Sequence, residues 1–266
     1  MSKNYSLALG WWAARWLCHI WVLKYIEENN IQINEIAWTS MWAIIWACFA
    51  LGKKSEEIKS IVKSINFLKL IDFDLKKWVV SWNKIYKLLE KIFWDTKIED
   101  VKIPLKIFAT DMNSGEKIIF IKWKIVDAVR SSISLPMIFT SFDYFGNDFL
   151  DWWLKANLPV LDLDWKDIIA VSAIRDKWKK IITNRKIWNF EFKKWFFGYN
   201  YEILKKTITI LMSTNEDLSL ELAKYIWKKI ILLTPDIWNY EYYDFNKVDE
   251  ISDIWYEEAK NKLNNL

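Results

Sequence analysis

Tryptophan is far too common, and glycine far too rare, for an ordinary folded chain of this length. The 266 residues include twenty tryptophans and five glycines, whereas average usage would give roughly 19 glycines. Tight turns need glycine, because a residue without a Cβ adopts positive φ at no steric cost. We therefore predict that most of these tryptophans stand for glycines, because one reassigned codon was translated with the wrong table.

The positions of the tryptophans favour this interpretation. Aromatic platforms for sugars, or a membrane belt, would place tryptophans at strand or helix spacing on one face. Isolated tryptophans such as Trp94 and Trp227 are also consistent with core aromatics, so both explanations stay open there. Most others cluster where strand-like runs meet helical ones or turns, as do Trp11, Trp12, Trp16, Trp38, Trp42, Trp152 and Trp153.

Cysteine count and net charge indicate the cellular compartment of the chain and its binding partners. Two cysteines, Cys18 and Cys48, are too few for a disulfide scaffold or a four-thiolate metal site, which favours a reducing cytoplasm. The net charge of +4 is too small to indicate a nucleic-acid partner but suits transient contact with an anionic membrane surface. Residues 190–199, rich in aromatics, are the candidate for that contact. We expect a cytoplasmic protein, at most peripheral at the membrane, without metal or cofactor.

Alternating strand-like and helix-like runs predict a single α/β domain over residues 1–266. Such alternation is typical of a mostly parallel sheet with helices on both faces, in which ligands bind at the carboxyl ends of the strands. The predicted strands are 5–10, 33–38, 103–109, 117–122, 148–151, 167–172 and 229–233. The predicted helices are 14–28, 41–51, 54–64, 83–93, 124–132, about 201–225 and 247–263.

With glycine in place of tryptophan, residues 38–42 become a G-x-S-x-G pattern centred on Ser40. The pattern lies between a strand-like and a helix-like run, as in the nucleophile elbow of serine hydrolases. There a sharp turn exposes the serine hydroxyl, and small flanking residues avoid clashes. An ordinary helix N-cap is the alternative role of the serine. The flanking residues are Trp38, Thr39, Met41 and Trp42.

A second glycine-rich segment follows the first predicted strand. Its backbone N–H groups suit an oxyanion hole, in which each donor is typically worth roughly 10²–10³ in rate. The alternative is a dinucleotide-binding loop, but Ala13 and Ala14 break the G-x-G-x-x-G spacing. The available acids also come late in the next helix or beside the next strand; they are Glu27, Glu28 and Glu35. The segment comprises Gly10, Trp11, Trp12, Ala13, Ala14, Arg15 and Trp16.

A serine nucleophile needs a base, and Asp151 is the candidate. It ends a strand-like run and precedes Trp152 and Trp153, which as glycines would let the chain turn away. An aspartate of ordinary pKa, ~3.9, is a weak base, so the site must desolvate it and couple it to the hydroxyl. The single histidine, His19, is better explained as a core or helix-face residue. Asp111, at a strand end, is better explained as a turn or capping group.

Four ordered motifs together resemble the patatin-like phospholipase family, in its small bacterial form, over nearly the whole chain. With glycine for tryptophan, Leu7 to Lys24 would be LALGGGAARGLCHIGVLK, which resembles the family's oxyanion loop and following helix. Ile36 to Ala43 would be IAGTSMGA, which resembles the nucleophile motif. The other matching segments are Phe108 to Asp111, Val129 to Pro136, the D-G-[GA]-like Asp151-Trp152-Trp153, and Asn157 to Val160.

The resemblance implies a three-layer α/β fold, with a mostly parallel central sheet and helices on both faces. It also implies a Ser–Asp dyad, in which Ser40 attacks an ester carbonyl and Asp151 takes its proton. Amides around Trp11, Trp12 and Ala13 would hold the oxyanion, and Arg15 would shape that loop. The expected substrates are phospholipids or other fatty-acyl esters. If the motif tryptophans are real, we expect instead an inactive lipid-binding or scaffold relative.

Overall fold

The computed structural model describes the three-dimensional arrangement of most of the chain. The described residues are 4–10, 18–39, 43–65, 72–74, 79–81, 83–134, 142–144, 146–151, 157–174, 192–235, 248–264 and 266. The strands are β1 (Asn4–Leu9), β2 (Gln32–Thr39), β3 (Asp72–Asp74), β4 (Val79–Ser81), β5 (Leu105–Asp111), β6 (Lys117–Phe120), β7 (Phe142–Tyr144), β8 (Asn147–Asp151), β9 (Asp167–Val171) and β10 (Lys229–Leu233). The α-helices are α1 (Cys18–Glu28), α2 (Ala43–Ala50), α3 (Ser55–Ser64), α4 (Asn83–Phe93), α5 (Ile125–Ser132), α6 (Phe192–Tyr225) and α7 (Val248–Leu263).

Eight of these strands form one mixed sheet in which the parallel pairings predominate. The strands β10, β9, β1, β2 and β5 follow one another in the sheet, both β6 and β8 pair with β5, and β7 pairs with β8. The neighbours from β10 to β5 are parallel, and β6, β7 and β8 add antiparallel pairings beyond them. β3 and β4 pair separately as a two-stranded ribbon. The predicted mostly parallel sheet is therefore confirmed.

Helices cover both faces of the sheet, as alternate residues of β1 demonstrate. Leu7 and Leu9 belong to the larger core, which includes buried side chains from α1 to α5 and from α7. Ala8 points to the opposite face and belongs to a smaller core with residues 158–163 and α6. A strand buried on both faces needs apolar residues at consecutive positions, which β1 supplies. The predicted three-layer fold is confirmed.

The longest helix, α6, returns the chain across the smaller core. It is continuous over 34 residues, whereas the sequence predicts helix only from about residue 201. Leu220 and Ala223 pack on the sheet, and the chain then enters β10. Because β9 and β10 are parallel, α6 runs back towards the strand starts, and its earlier residues lie nearer the carboxyl edge. No helix in the described ranges is long and apolar enough to cross a membrane.

Trp94 and Trp227 are surface residues, so their interpretation as core aromatics is wrong. Their exposed fractions are 83% and 80%. Both follow the end of a helix, and their φ angles are 51° and 60°. Trp123, another exposed tryptophan, has a φ of 107°. These left-handed angles suit glycine and oppose a side chain that carries a Cβ, which supports the interpretation of these tryptophans as glycines.

Candidate active site

The carboxyl ends of β2 and β8 meet on one edge of β5. Thr39 ends β2 and pairs with Phe108, whereas Asp151 ends β8 and pairs with Ala109. β6 pairs with residues 107–110 of β5 and overlaps both pairings, so β6 must occupy the opposite edge. Thr39 and Asp151 therefore face successive positions of β5, which are ~3.3 Å apart along a strand.

The two strands approach this point from opposite directions. β2 is parallel to β5 and β8 is antiparallel to it, so their last residues point towards each other. Ser40, the predicted nucleophile, is the next residue after Thr39 and lies outside the described residues. The strand register thus places Thr39, the residue before Ser40, next to Asp151.

Asp151 is held from two sides in the interior. Its exposed fraction is 0%. The Asp151 backbone N–H donates to the carbonyl oxygen of Ser134 at 3.0 Å. The Asp151 carbonyl oxygen accepts from the Thr110 hydroxyl at 3.3 Å. These two contacts tie the end of β8 to the segment after α5 and to β5. A carboxyl group in such a place exchanges little with bulk water, as the predicted role of a base requires.

A buried cation, Arg130, fixes the position of Ser134. The Arg130 guanidinium donates to the Ser134 hydroxyl at 2.5 Å. The same hydroxyl donates to the Arg130 backbone carbonyl oxygen at 3.1 Å. Burial lowers the pKa of Arg130 to about 9, against a smaller opposing effect of Tyr86. The side chain therefore stays cationic at neutral pH. Arg130 fixes Ser134, whose carbonyl in turn holds Asp151.

The loop predicted to form the oxyanion hole leaves the sheet beside β2. β1 ends at Leu9, which pairs with Trp38 on one side and with Val171 on the other. The next residue, Gly10, donates its N–H to the Val171 carbonyl oxygen at 2.8 Å. Trp38 is fully buried, and its indole N–H has no acceptor in the part of the chain that the structure describes. Such a donor costs ~1–3 kcal/mol, a cost that glycine would avoid.

Several predicted site residues lie outside the described residues, and their predictions stay untested. They include the nucleophile and most of the predicted oxyanion loop, together with both residues that follow Asp151. They are Trp11, Trp12, Ala13, Arg15, Trp16, Ser40, Met41, Trp42, Trp152 and Trp153. These segments start from the ends of β1, β2 and β8, which are described: β1 pairs with β2, and the ends of β2 and β8 face successive residues of β5.

His19 is a core residue, as predicted, rather than a base at the site. Its exposed fraction is 1%, and its Nδ1 accepts a hydrogen bond from the Trp46 indole at 3.3 Å. The Trp46 and Trp255 rings lie 5.7 and 5.9 Å from its ring centroid. Desolvation lowers the pKa of His19 to about 3. The imidazole is therefore neutral, and it is one of the side chains of the larger core.

The other acids considered have structural contacts. Asp111 accepts a hydrogen bond from the Asn113 backbone N–H at 2.8 Å, which confirms its interpretation as a turn residue. Glu27 accepts from the backbone N–H and the hydroxyl of Ser55 at the start of α3. Glu35 accepts from the hydroxyl of Ser6 on β1, and Glu28 from the Tyr256 hydroxyl. These contacts further disfavour the dinucleotide loop, because its acid must bind a ribose.

The sequence interpretation missed one buried carboxylate, Glu216 of α6. Its exposed fraction is 0%, and it accepts hydrogen bonds from Asn157 and Ser172 beside the end of β1. Its residue type alone does not distinguish it from the exposed Glu221 of the same helix. The apolar period around it, at Met212, Leu220 and Ala223, was the available signal, since it places residue 216 on the same buried face.

Comparison with known proteins identifies the family. A family model described as Patatin-like phospholipase matches residues 13–164, which are more than half of the chain. The chain belongs to the patatin-like phospholipase family. The matched residues of this patatin-like chain include β2, β5 and β8, and therefore Asp151.

Relatives of known sequence or structure agree with the family. An uncharacterized NTE family protein of Mycobacterium bovis is 28% identical over 163 residues, 60% of this chain and 45% of that protein. A lysophospholipase of Meyerozyma guilliermondii is 27% identical over 284 residues, 96% of this chain and 19% of that protein. The patatin-like chain thus spans less than half the length of both relatives. The crystal structure of VipD from Legionella pneumophila shares the fold, with a TM-score of 0.58 at 10% identity over 99% of this chain and 67% of VipD.

Proposed function

We propose that this patatin-like chain is a serine lipid acyl hydrolase with a Ser40–Asp151 dyad. The observation that carries the proposal is the position of Thr39 and Asp151 at successive points on one edge of β5. Ser40 follows Thr39 directly in the chain. Thr39 lies next to Asp151, which is fully buried. The family and the lysophospholipase among the relatives point to a lipid ester as the substrate.

The proposed reaction proceeds through an acyl-enzyme. Ser40 Oγ attacks the ester carbonyl carbon while its proton moves to Asp151. Backbone N–H groups of the loop around Trp11, Trp12 and Ala13 stabilise the tetrahedral oxyanion. The carbon–oxygen bond to the alcohol breaks, and Asp151 returns the proton to that alcohol. Water then attacks the acyl-enzyme with Asp151 as base, which releases the fatty acid and restores the Ser40 hydroxyl.

The alternative is an inactive relative that binds lipid or serves as a scaffold. It follows if the tryptophans at positions 38 and 42 are real, since two indoles would crowd the elbow around Ser40. Trp38 is buried, and its indole N–H has no acceptor within the described ranges. This cost of a tryptophan at position 38 counts against the alternative.

Peptide masses across residues 31–52 of the protein from its native source decide which residues the elbow contains. Glycine masses at positions 38, 42 and 46 are expected, and they would establish a functional elbow. Tryptophan masses would support the inactive relative. The chain with the residues so established is called the parent protein below.

Activity tests the dyad in the parent protein. We expect labelling by a fluorophosphonate and hydrolysis of a lysophospholipid, both lost in Ser40→Ala. Asp151→Asn should lower kcat by roughly 10²–10⁴, because it removes the base. Asp111→Asn is the matched control: it changes another strand-end carboxylate, engaged in a turn, and should keep the parent rate. Full activity of Ser40→Ala, or equal activity of the two aspartate variants, would contradict the dyad.

A further inference from the structure

Glu216 is a buried carboxylate with two short hydrogen bonds. Its Oε1 accepts from the Asn157 side-chain amide at 2.5 Å, and its Oε2 accepts from the Ser172 hydroxyl at 2.5 Å. The exposed fractions of Glu216 and Asn157 are 0%. Burying a carboxylate is costly unless hydrogen bonds replace its water, and hydrogen bonds to a charged acceptor are the stronger kind. This carboxylate therefore holds its two partners firmly.

The same carboxylate lies against the backbone of Gly10. A Cβ at position 10 would be 2.8 Å from Glu216 Oε1 and 3.3 Å from the Asn157 amide nitrogen. A side chain at position 10 would therefore force the Glu216 carboxylate to shift. Glycine at position 10 thus leaves room for the carboxylate where it accepts from Asn157.

Two of the three contacted residues lie close in sequence to groups of the proposed chemistry. Gly10 directly precedes Trp11 in the segment that the proposed function uses as the oxyanion hole. Asn157 follows Asp151 by six residues in the chain. Ser172 follows β9, next to β1 in the sheet. One side chain of α6 therefore touches the chain where the proposed oxyanion loop begins and again six residues after Asp151.

We propose that Glu216 is a positioning residue for the hydrolase, which sets the oxyanion loop and the base at a fixed distance from each other. This inference rests on the proposed function. Glu216 acts through Gly10 and Asn157 and does not touch the substrate. Displacement of either anchored segment misaligns groups that must converge on one carbonyl, and a misplacement of ~1 Å can cost about 10²-fold in rate.

Substitution at position 216 tests this role through kcat. In the parent protein, Glu216→Leu should lower kcat for a lysophospholipid about 100-fold, with KM changed less than about threefold. Glu216→Gln should keep kcat within about threefold, because the amide oxygen still accepts from Asn157 and the Ser172 hydroxyl can reverse to accept from the amide. Glu221→Leu, on an exposed residue of the same helix, is the matched control. A kcat of Glu216→Leu equal to that of Glu221→Leu would overturn the proposal.

Hydrogen–deuterium exchange tests the anchoring without relying on activity. In Glu216→Leu, peptides covering residues 4–10 and 157–163 should exchange at least about tenfold faster, with β10 unchanged. A uniform increase over all peptides would indicate general destabilisation and overturn the proposal. If Glu216→Leu does not fold, Asn157→Ala removes one anchor and is measured in the same way, with the same expected and contradicting results. A parent protein that neither hydrolyses nor labels would refute the hydrolase function, whereas the exchange result would still decide the anchoring.

Discussion

Three helices of this protein end in one hydrogen-bonding motif, with a different residue at its left-handed position. Asn30 follows α1, Gly52 follows α2 and Trp227 follows α6, with φ angles of 51°, 90° and 60°. In each case the backbone N–H of that residue donates to the carbonyl oxygen three residues earlier, and the N–H of the next residue donates to the carbonyl oxygen five residues before itself. This pair of hydrogen bonds defines the Schellman motif. Glycine and asparagine are the usual residues there. Tryptophan has no physical reason to occupy this position, because its Cβ opposes the angle.

At the scale of single residues, we expect Trp227→Gly to stabilise a chain that has the printed sequence. Removing the Cβ relieves a strain of ~1–2 kcal/mol, and the greater freedom of glycine in the unfolded chain offsets part of it. The free energy of unfolding should therefore rise by about 0.5–1 kcal/mol, as measured by urea denaturation. Trp165→Gly is the control, since Trp165 is also exposed but lacks a positive φ, and it should not stabilise. Destabilisation by Trp227→Gly would contradict the glycine interpretation.

At the scale of elements, the contact between α5 and β8 determines where Asp151 lies. Ser134 links the two, because its carbonyl accepts from the Asp151 N–H and its hydroxyl accepts from Arg130. Ser131 of α5 is equally buried, but its hydroxyl donates within the helix, to the Asp127 carbonyl oxygen. The two serines therefore form a matched pair that separates a hydrogen bond with a buried cation from a neutral one.

We expect Ser134→Ala to cost more than Ser131→Ala. A hydrogen bond to a charged group contributes ~1.5–3 kcal/mol, and Ser134→Ala removes one from the buried guanidinium. Ser131→Ala should lower the free energy of unfolding by less than ~1 kcal/mol, because its bond is a neutral one. Urea denaturation of both variants measures the difference. Equal small losses would show that Arg130 does not depend on the Ser134 hydroxyl.

The elements that the sequence predicts best are those with a strong apolar pattern. α4 and β10 have the predicted bounds, since one is amphipathic and the other is a continuous apolar run. β3, β4 and β7 have three residues each, too few for a periodic pattern to form, and the sequence did not predict them. α6 begins at Phe192, about nine residues before the predicted start, because aromatic and lysine residues obscure its period.

The candidate site was predictable only where a local motif carries it. Asp151 follows from its place at a strand end before two turn positions. Glu216 contacts Asn157 across 59 residues of sequence, and no local pattern reports a contact over that distance. Its partners become evident only when α6 crosses the sheet beside β1.

At the scale of the whole molecule, one buried group couples global stability to pH. His19 lies in the larger core between Trp46 and Trp255, and desolvation lowers its pKa from 6.5 to about 3. Between these two values the unfolded chain binds a proton that the folded chain does not. The free energy of unfolding therefore falls as the pH decreases below about 6.5 and is unaffected by His19 above it.

The expected slope within that window is ~1.4 kcal/mol per pH unit. Lowering the pH from 7 to 5 crosses ~1.5 units of the window, so His19 should account for a loss of roughly 2 kcal/mol. Urea denaturation of the printed chain and of His19→Leu at both pH values isolates this share, because all other titrating groups are common to the two proteins. The loss should be smaller in His19→Leu by about that amount. Parallel losses in both proteins would mean that His19 is hydrated in the folded state, and hence that Trp46 and Trp255 do not enclose it.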